Sequence, residues 1–136
     1  MAAGLALYLG EGNKRGSVVG FCNSDLKIVK FMKLWFMENF DLKEEEFIYR
    51  VRINYIHRDR DEEIKNYWIN ELNIPKDCFR KTTFIKTENK KKYENRSVYY
   101  GTLKISVRKS SKMLYKIWGF SDALLDVKLG KFDSMT

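Results

Sequence analysis

Residues 47–55 (FIYRVRINY) constrain this chain more than any other run in it. Phe47, Tyr49, Val51, Ile53 and Tyr55 alternate with Ile48, Arg50, Arg52 and Asn54, and a period of two puts the sets on opposite faces of a β-strand. The aromatic and β-branched face needs a cover of helices, whereas the arginine face needs water or a ligand. Residues 98–108 repeat the pattern, with Leu103, Ile105 and Val107 inward against Thr102, Lys104, Ser106 and Arg108 outward. Together they predict a sheet that is apolar on one side and polar on the other.

Helical spacing supplies the cover. Residues 5–10 form a short apolar helix ended by Glu11-Gly12, and residues 16–23 are a strand candidate. Ser24-Asp25 gives an N-cap and a first-turn acid for a helix to about residue 40, with Leu26, Val29, Met32, Trp35, Phe36 and Phe40 as its buried stripe. Asp59 or Asp61 caps a third helix running to residue 72, with Ile64, Tyr67, Trp68 and Leu72 facing inward. Asn73-Ile74-Pro75 stops it.

Residues 80–87 and 98–108 flank a lysine-rich loop and are expected to form a hairpin. Ser110 or Ser111 caps a helix carrying Met113, Leu114, Ile117 and Trp118, with Gly119 placed to end it. A separate Ser121-capped helix over residues 122–129 follows. The order is α-β-α-β-α-β-β-α, an α+β domain with a curved, mostly antiparallel sheet and helices on one face.

The 136 residues are 44% apolar, and a chain of that length buries a full core as one domain, residues 1–136. Pro75 is the only proline, so no linker divides it. No apolar run reaches the roughly 18 residues needed to cross a bilayer, and residues 1–9 lack the flank of a signal peptide. The expected compartment is the cytoplasm or an organellar matrix, not secretion, with no membrane partner. Cys22 and Cys78 form no CxxC pair and His57 is the only histidine, so both thiols are expected to be buried and inert, and structural zinc lacks ligands.

Charge is uneven. Residues 76–116 carry 13 basic side chains against 3 acidic, a net of +10 within a total of +8, which leaves the remainder at −2. A polyanion-binding face needs this asymmetry, because neutralising phosphates releases counterions. A solvated lysine surface is the bland alternative. Membrane headgroups fit less well, since the cations fall in strand patterns.

Residues 4–12 read GLALYLGEG. Gly10-x-Gly12 closes a helix rather than opening one after a strand, so it is not a dinucleotide fingerprint, and no phosphate-loop Lys-Ser/Thr pair follows. Ala3, Ala6 and Gly10, with Leu7 beside them, form a smooth stripe at spacings of three and four on which a second helix can pack closely.

The nine residues resemble the signature of the LAGLIDADG homing endonucleases, with Gly12 as the final glycine, Glu11 the penultimate acid and Leu9 at the first acidic position. The resemblance extends through the strand and Asn23-Ser24-Asp25 continuation to the basic segment before the last helix. It implies a single-motif, saddle-shaped homodimer with a four-stranded sheet in each copy, and a dimer interface formed by Ala3, Ala6, Leu7 and Gly10.

The activity implied is site-specific double-strand cleavage at a pseudo-palindromic DNA site, as in intron homing. Glu11 would be catalytic and would bind Mg²⁺ with the Gly10 carbonyl, Ca²⁺ or Mn²⁺ being able to substitute, and no small-molecule cofactor is implied. The polar strand faces would contact double-stranded DNA through Arg50, Arg52, Asn54, Lys86, Thr102, Lys104, Ser106 and Arg108. Lys90, Lys91, Lys92 and Arg96 would clamp phosphates. Lys81, Lys86 and Lys104 are candidates for a basic residue near the metal.

The rival is a non-catalytic regulator or intron splicing factor on the same scaffold. RNA belongs to that reading through stacking on Tyr93, Tyr99 and Tyr100. A general polyanion-binding or ribosome-associated domain is the third.

Overall fold

A computed structural model describes residues 1–12, 17–86 and 99–135. The regular elements follow in the expected order: α1 (Ala2–Glu11), β1 (Gly20–Asn23), α2 (Leu26–Phe40), β2 (Phe47–Asn54), α3 (Asp61–Leu72), β3 (Thr83–Ile85), β4 (Thr102–Val107) and α4 (Ser111–Ser134). Short 3₁₀ turns occupy Glu44–Glu46, Tyr55–Arg60 and Lys76–Cys78. The fold is α+β, with a mixed four-stranded sheet in the order β1-β4-β2-β3.

The expected hairpin does not form. β4 lies antiparallel between β1 and β2, whereas β3 pairs in parallel with β2 at the far edge. Two causes act together. After β2 the chain crosses over through α3, and a helical crossover delivers the next strand parallel to the first. β4, with Leu103, Ile105 and Val107 on one face, gains apolar neighbours from both sides only in the interior. There Ile105 stands between Phe21 and Tyr49, and Leu103 lies opposite Val51.

The apolar face carries Phe21, Phe47, Tyr49, Val51, Ile53, Leu103, Ile105 and Val107. It joins one core with Tyr8 of α1, Met32 and Phe36 of α2, Trp68 of α3 and Leu114 and Ile117 of α4. Burying each of the larger of these side chains contributes about 1.5–3 kcal/mol against leaving it exposed. Gly101, at φ +69, turns the chain into β4 where a Cβ would lie 2.7 Å from the Arg52 carbonyl oxygen. Any other residue there is both strained and clashing.

Asp25, rather than Ser24, caps α2, its carboxylate accepting from the Lys27 and Ile28 amides. The N-cap of α3 is Arg60, not Asp59 or Asp61, and Asn73 closes the helix in the left-handed conformation. Asp61 and Glu62 still occupy the first turn, where the helix dipole favours acids. Ser110 does precede α4, but its hydroxyl works elsewhere, accepting from the Val19 amide at 2.7 Å and donating to the Val107 carbonyl.

Gly119 does not end α4, which runs on as one helix to Ser134. The inward stripe of Leu114, Ile117, Ser121 and Leu124 continues across the glycine at spacings of three and four, and that packing outweighs its cost of about 1 kcal/mol. Tyr55 leaves the strand pattern: it lies in the 3₁₀ turn after β2 and is exposed.

A polar tie fastens α2 to the sheet from within. The buried Lys33 ammonium lies 2.9 and 3.1 Å from the two Glu44 carboxylate oxygens and 3.1 Å from the Leu72 carbonyl oxygen. The Tyr49 hydroxyl donates to the same carboxylate at 2.7 Å. Burial first, and then the neighbouring Glu44, push the Tyr49 hydroxyl far above the usual tyrosine range.

Candidate nucleic-acid interface

The second face of the sheet is set by the same registers. Ile48 pairs with Ser106, Arg50 with Lys104 and Arg52 with Thr102. On the outer sides Cys22 stands beside Lys104 and Thr83 beside Arg52. The face is therefore a lattice of cations and hydroxyls with one thiol and one isoleucine, Ile48. Cys22 is half-buried on this polar surface instead of sealed in the core, because it falls on the odd step from Phe21. Cys78 is buried as expected.

Arg50 and Lys104 are like charges directly across a strand pair, an arrangement that destabilises a sheet. Among the described residues no carboxylate pairs with Arg50, Arg52, Lys104 or Arg108. Arg50, Arg52 and Arg108 are exposed, while Thr102, Lys104 and Ser106 are half-buried between neighbours. Thr102 donates to the Arg52 carbonyl at 3.3 Å, fixing that end of the lattice. A cationic surface without internal counterions is what phosphate contacts require.

Two of the expected contacts have other duties. The Asn54 side-chain oxygen accepts from the Ile56 amide at 3.0 Å, capping the 3₁₀ turn after β2. Lys86, exposed after β3, holds its ammonium 5.5 Å from the centre of the Tyr55 ring, where the Arg58 guanidinium also lies at 4.2 Å. Lys90, Lys91, Lys92, Tyr93 and Arg96 lie outside the described residues.

Tyr99 and Tyr100 are not free stacking platforms. Tyr100 already stacks on Tyr67 at 3.7 Å, and its carbonyl accepts from the Trp68 indole at 2.9 Å. Tyr99 packs 5.5 Å from His57, and its carbonyl accepts from Arg60. Both side chains are half-buried by these contacts.

The motif helix divides its small residues between two sides. Gly4 and Gly12 face the protein: a Cβ on Gly4 would meet the Trp35 ring at 2.2 Å, and one on Gly12 the Tyr8 ring at 2.5 Å. Ala3, Ala6 and Gly10 face outward and are exposed, with nothing within 4 Å of a Cβ built on Gly10, and Leu7 is half-buried. The stripe is thus not consumed by packing within the chain.

Gly12 bridges to Phe21 and donates its amide to the Tyr8 carbonyl at 2.7 Å, so the end of α1 is pinned to β1, an edge of the cationic sheet. Glu11 sits there, exposed, at the negative end of the helix dipole, where a carboxylate is unfavourable unless a cation neutralises it. Its oxygens, with the backbone carbonyls of a helix end, are hard donors that suit Mg²⁺. One chain brings one such acid. No group of three or more His, Cys, Asp or Glu able to hold a metal occurs among the described residues.

Among those residues no helix is long and apolar enough to cross a membrane. Compared with protein-family models, with curated proteins and with solved structures, the chain matches none of them.

Proposed function

We propose that this chain is a single-motif, LAGLIDADG-type DNA endonuclease that works as a homodimer and cuts both strands of a pseudo-palindromic site. The observation that carries the reading is the end of α1. An outward stripe of Ala3, Ala6 and Gly10 finishes in an exposed Glu11 pinned to the edge of a cationic sheet. Small residues let two such helices approach closely about a two-fold axis, and that approach brings two Glu11 carboxylates together. Twin carboxylates repel unless a divalent cation lies between them.

Unburied apolar surface supports a second copy. α4 packs beside α1, and beyond Leu124 it leaves Leu125, Leu129 and Phe132 45%, 59% and 63% exposed. A soluble chain rarely leaves such a row in water.

In the dimer, Arg50, Arg52, Lys104 and Arg108 of each copy neutralise backbone phosphates, while Thr102 and Ser106 offer hydroxyls to phosphates or base edges. Glu11 of each copy would hold the cation, with the neighbouring Gly10 carbonyl, at the paired helix ends. Bound Mg²⁺ supplies the activation of water and the neutralisation of the departing 3′ oxygen.

Plasmid cleavage in Mg²⁺ by the parent chain and by Glu11→Gln tests the mechanism. Cutting by the parent and none by the variant supports it, and equal cutting by both overturns it. Equilibrium sedimentation must show a dimer, since a monomer cannot assemble the paired acids. The second reading, non-catalytic DNA or RNA binding on this scaffold, needs no paired acids and is favoured by the cationic sheet face, which one copy carries by itself. It predicts salt-sensitive binding indifferent to both Mg²⁺ and Glu11→Gln.

A further inference from the structure

A second cationic surface lies on the helical side of the β3 edge, apart from the polar face of the sheet. One face of α3, through Asn66 and Ile69, and the segment after Pro75 enclose a groove of about 260 Å³. Lys65, Lys76, Arg80 and Lys81 line it against one acid, Glu62. Lys65 is engaged by Asp61 at 3.3 Å, but Lys76, Arg80 and Lys81 have no ion pair among the described residues.

The groove is held open by backbone rather than by flexible side chains. Arg80 donates its amide to the Tyr49 carbonyl at 2.7 Å, so its guanidinium springs from a point fixed to the sheet. Phe79 stacks on Tyr49 with ring centres 6.4 Å apart and planes 15° apart, and with Ile69 it gives the groove an apolar wall. Three cations with no ion pair among the described residues suit a phosphate, the arginine fork above all. An aromatic and aliphatic wall beside them suits a flat ring carried by that phosphate.

We propose that this groove binds a single nucleotide, its phosphate held by Lys76, Arg80 and Lys81 and its base or sugar against Phe79 and Ile69. The nucleotide comes either free from solution or from the unpaired end of a nucleic-acid strand. The site does not depend on the endonuclease reading, since it uses none of the sheet's outward cations and none of α1; Lys81, one of the lysines expected near the metal, lies instead beside β3, at the opposite edge of the sheet from the β1 edge to which the end of α1 is pinned.

The test titrates the full chain with AMP, with inorganic phosphate and with a 5′-phosphorylated single-stranded oligonucleotide, following amide shifts by NMR and affinity by calorimetry. Amides of residues 65–69 and 76–81 should shift. Combining Lys76→Ala, Arg80→Ala and Lys81→Ala should raise the AMP Kd at least about tenfold, while Arg50→Ala with Arg52→Ala leaves it within about twofold. Binding of AMP assigns the free nucleotide; binding of the oligonucleotide alone, lost in the triple variant, assigns the strand end.

No binding of either probe at millimolar concentration overturns the site. So do equal affinity in the triple variant, and displacement of AMP by a glutamate-rich peptide as effectively as by the oligonucleotide. Should the triple variant melt early, Lys76→Glu with Lys81→Glu changes only two exposed side chains and decides the question. Loss of DNA binding in the Arg50 and Arg52 variant with AMP binding intact separates the two surfaces.

Discussion

The two faces of one sheet are made from the same strands and obey opposite rules. On the inner face the cross-strand neighbours are apolar partners, as with Phe47 and Val107 or Val51 and Leu103, save for Asn23 opposite Leu103 at the end of β1. On the outer face Arg50 meets Lys104 with no carboxylate between them. The inner face lowers the free energy of the fold; the like charges of the outer face raise it, and among the described residues no carboxylate pairs with them. Local disagreement with folding rules, where the rest of the sequence conforms, is where function is to be sought.

Substitutions sharpen that contrast. The largest effect on stability falls on the inner face. Phe47→Ala should cost about 3–5 kcal/mol, read as a lowered urea midpoint, because its ring is fully buried and leaves a cavity. Tyr49→Phe separates shape from hydrogen bonding, and removing the bond to Glu44 should cost about 1.5–3 kcal/mol at neutral pH.

The same tyrosine sets an alkaline limit. Its hydroxyl ionises at higher pH in the folded than in the unfolded chain, so the stabilisation is complete below about pH 10 and declines as pH rises beyond it. The decline follows because the unfolded chain releases the proton first. Melts between pH 9 and 11 should show a shallower fall in Tyr49→Phe than in the parent.

The smallest stability effect, with the opposite sign, belongs to the outer face. Arg50→Gln should stabilise the chain by about 0.2–1 kcal/mol by removing repulsion from Lys104. The same change should weaken DNA binding and reduce the slope of log affinity against log salt by about 1. A variant that loses stability and keeps its salt slope would erase the distinction between the faces.

Much of this was legible in the sequence, because periodicity reports which way a side chain points. Alternation in residues 47–54 and 102–107 places every inward and outward residue of β2 and β4, and the stripes of α2 and α3 end where expected. Pairing was not legible. The lysine-rich segment between β3 and β4 suggested a turn, yet which strands become neighbours is decided by burial on both sides of β4 and by the α3 crossover. Gly119 misled because a local stop signal is weaker than a stripe that continues through Leu124.

At the site, the outward arginines and the small stripe of α1 could be read from spacing alone. The duty of Asn54 as a cap, the engagement of Tyr99 and Tyr100, and the groove of Lys76, Arg80 and Lys81 could not. Each depends on residues distant in sequence or on a turn whose geometry periodicity does not describe.

The order β1-β4-β2-β3 also has a consequence for how the molecule is born. The strand that joins β1 to β2 is the last one synthesised, and Gly20 waits for Ser106 as its partner. A nascent chain that ends before residue 102 holds two separated strand segments with exposed apolar faces and no means of joining them. Joining of β1 to β2 must therefore wait until residues 102–107 have left the ribosome, and pairing across so long an intervening chain makes it slow.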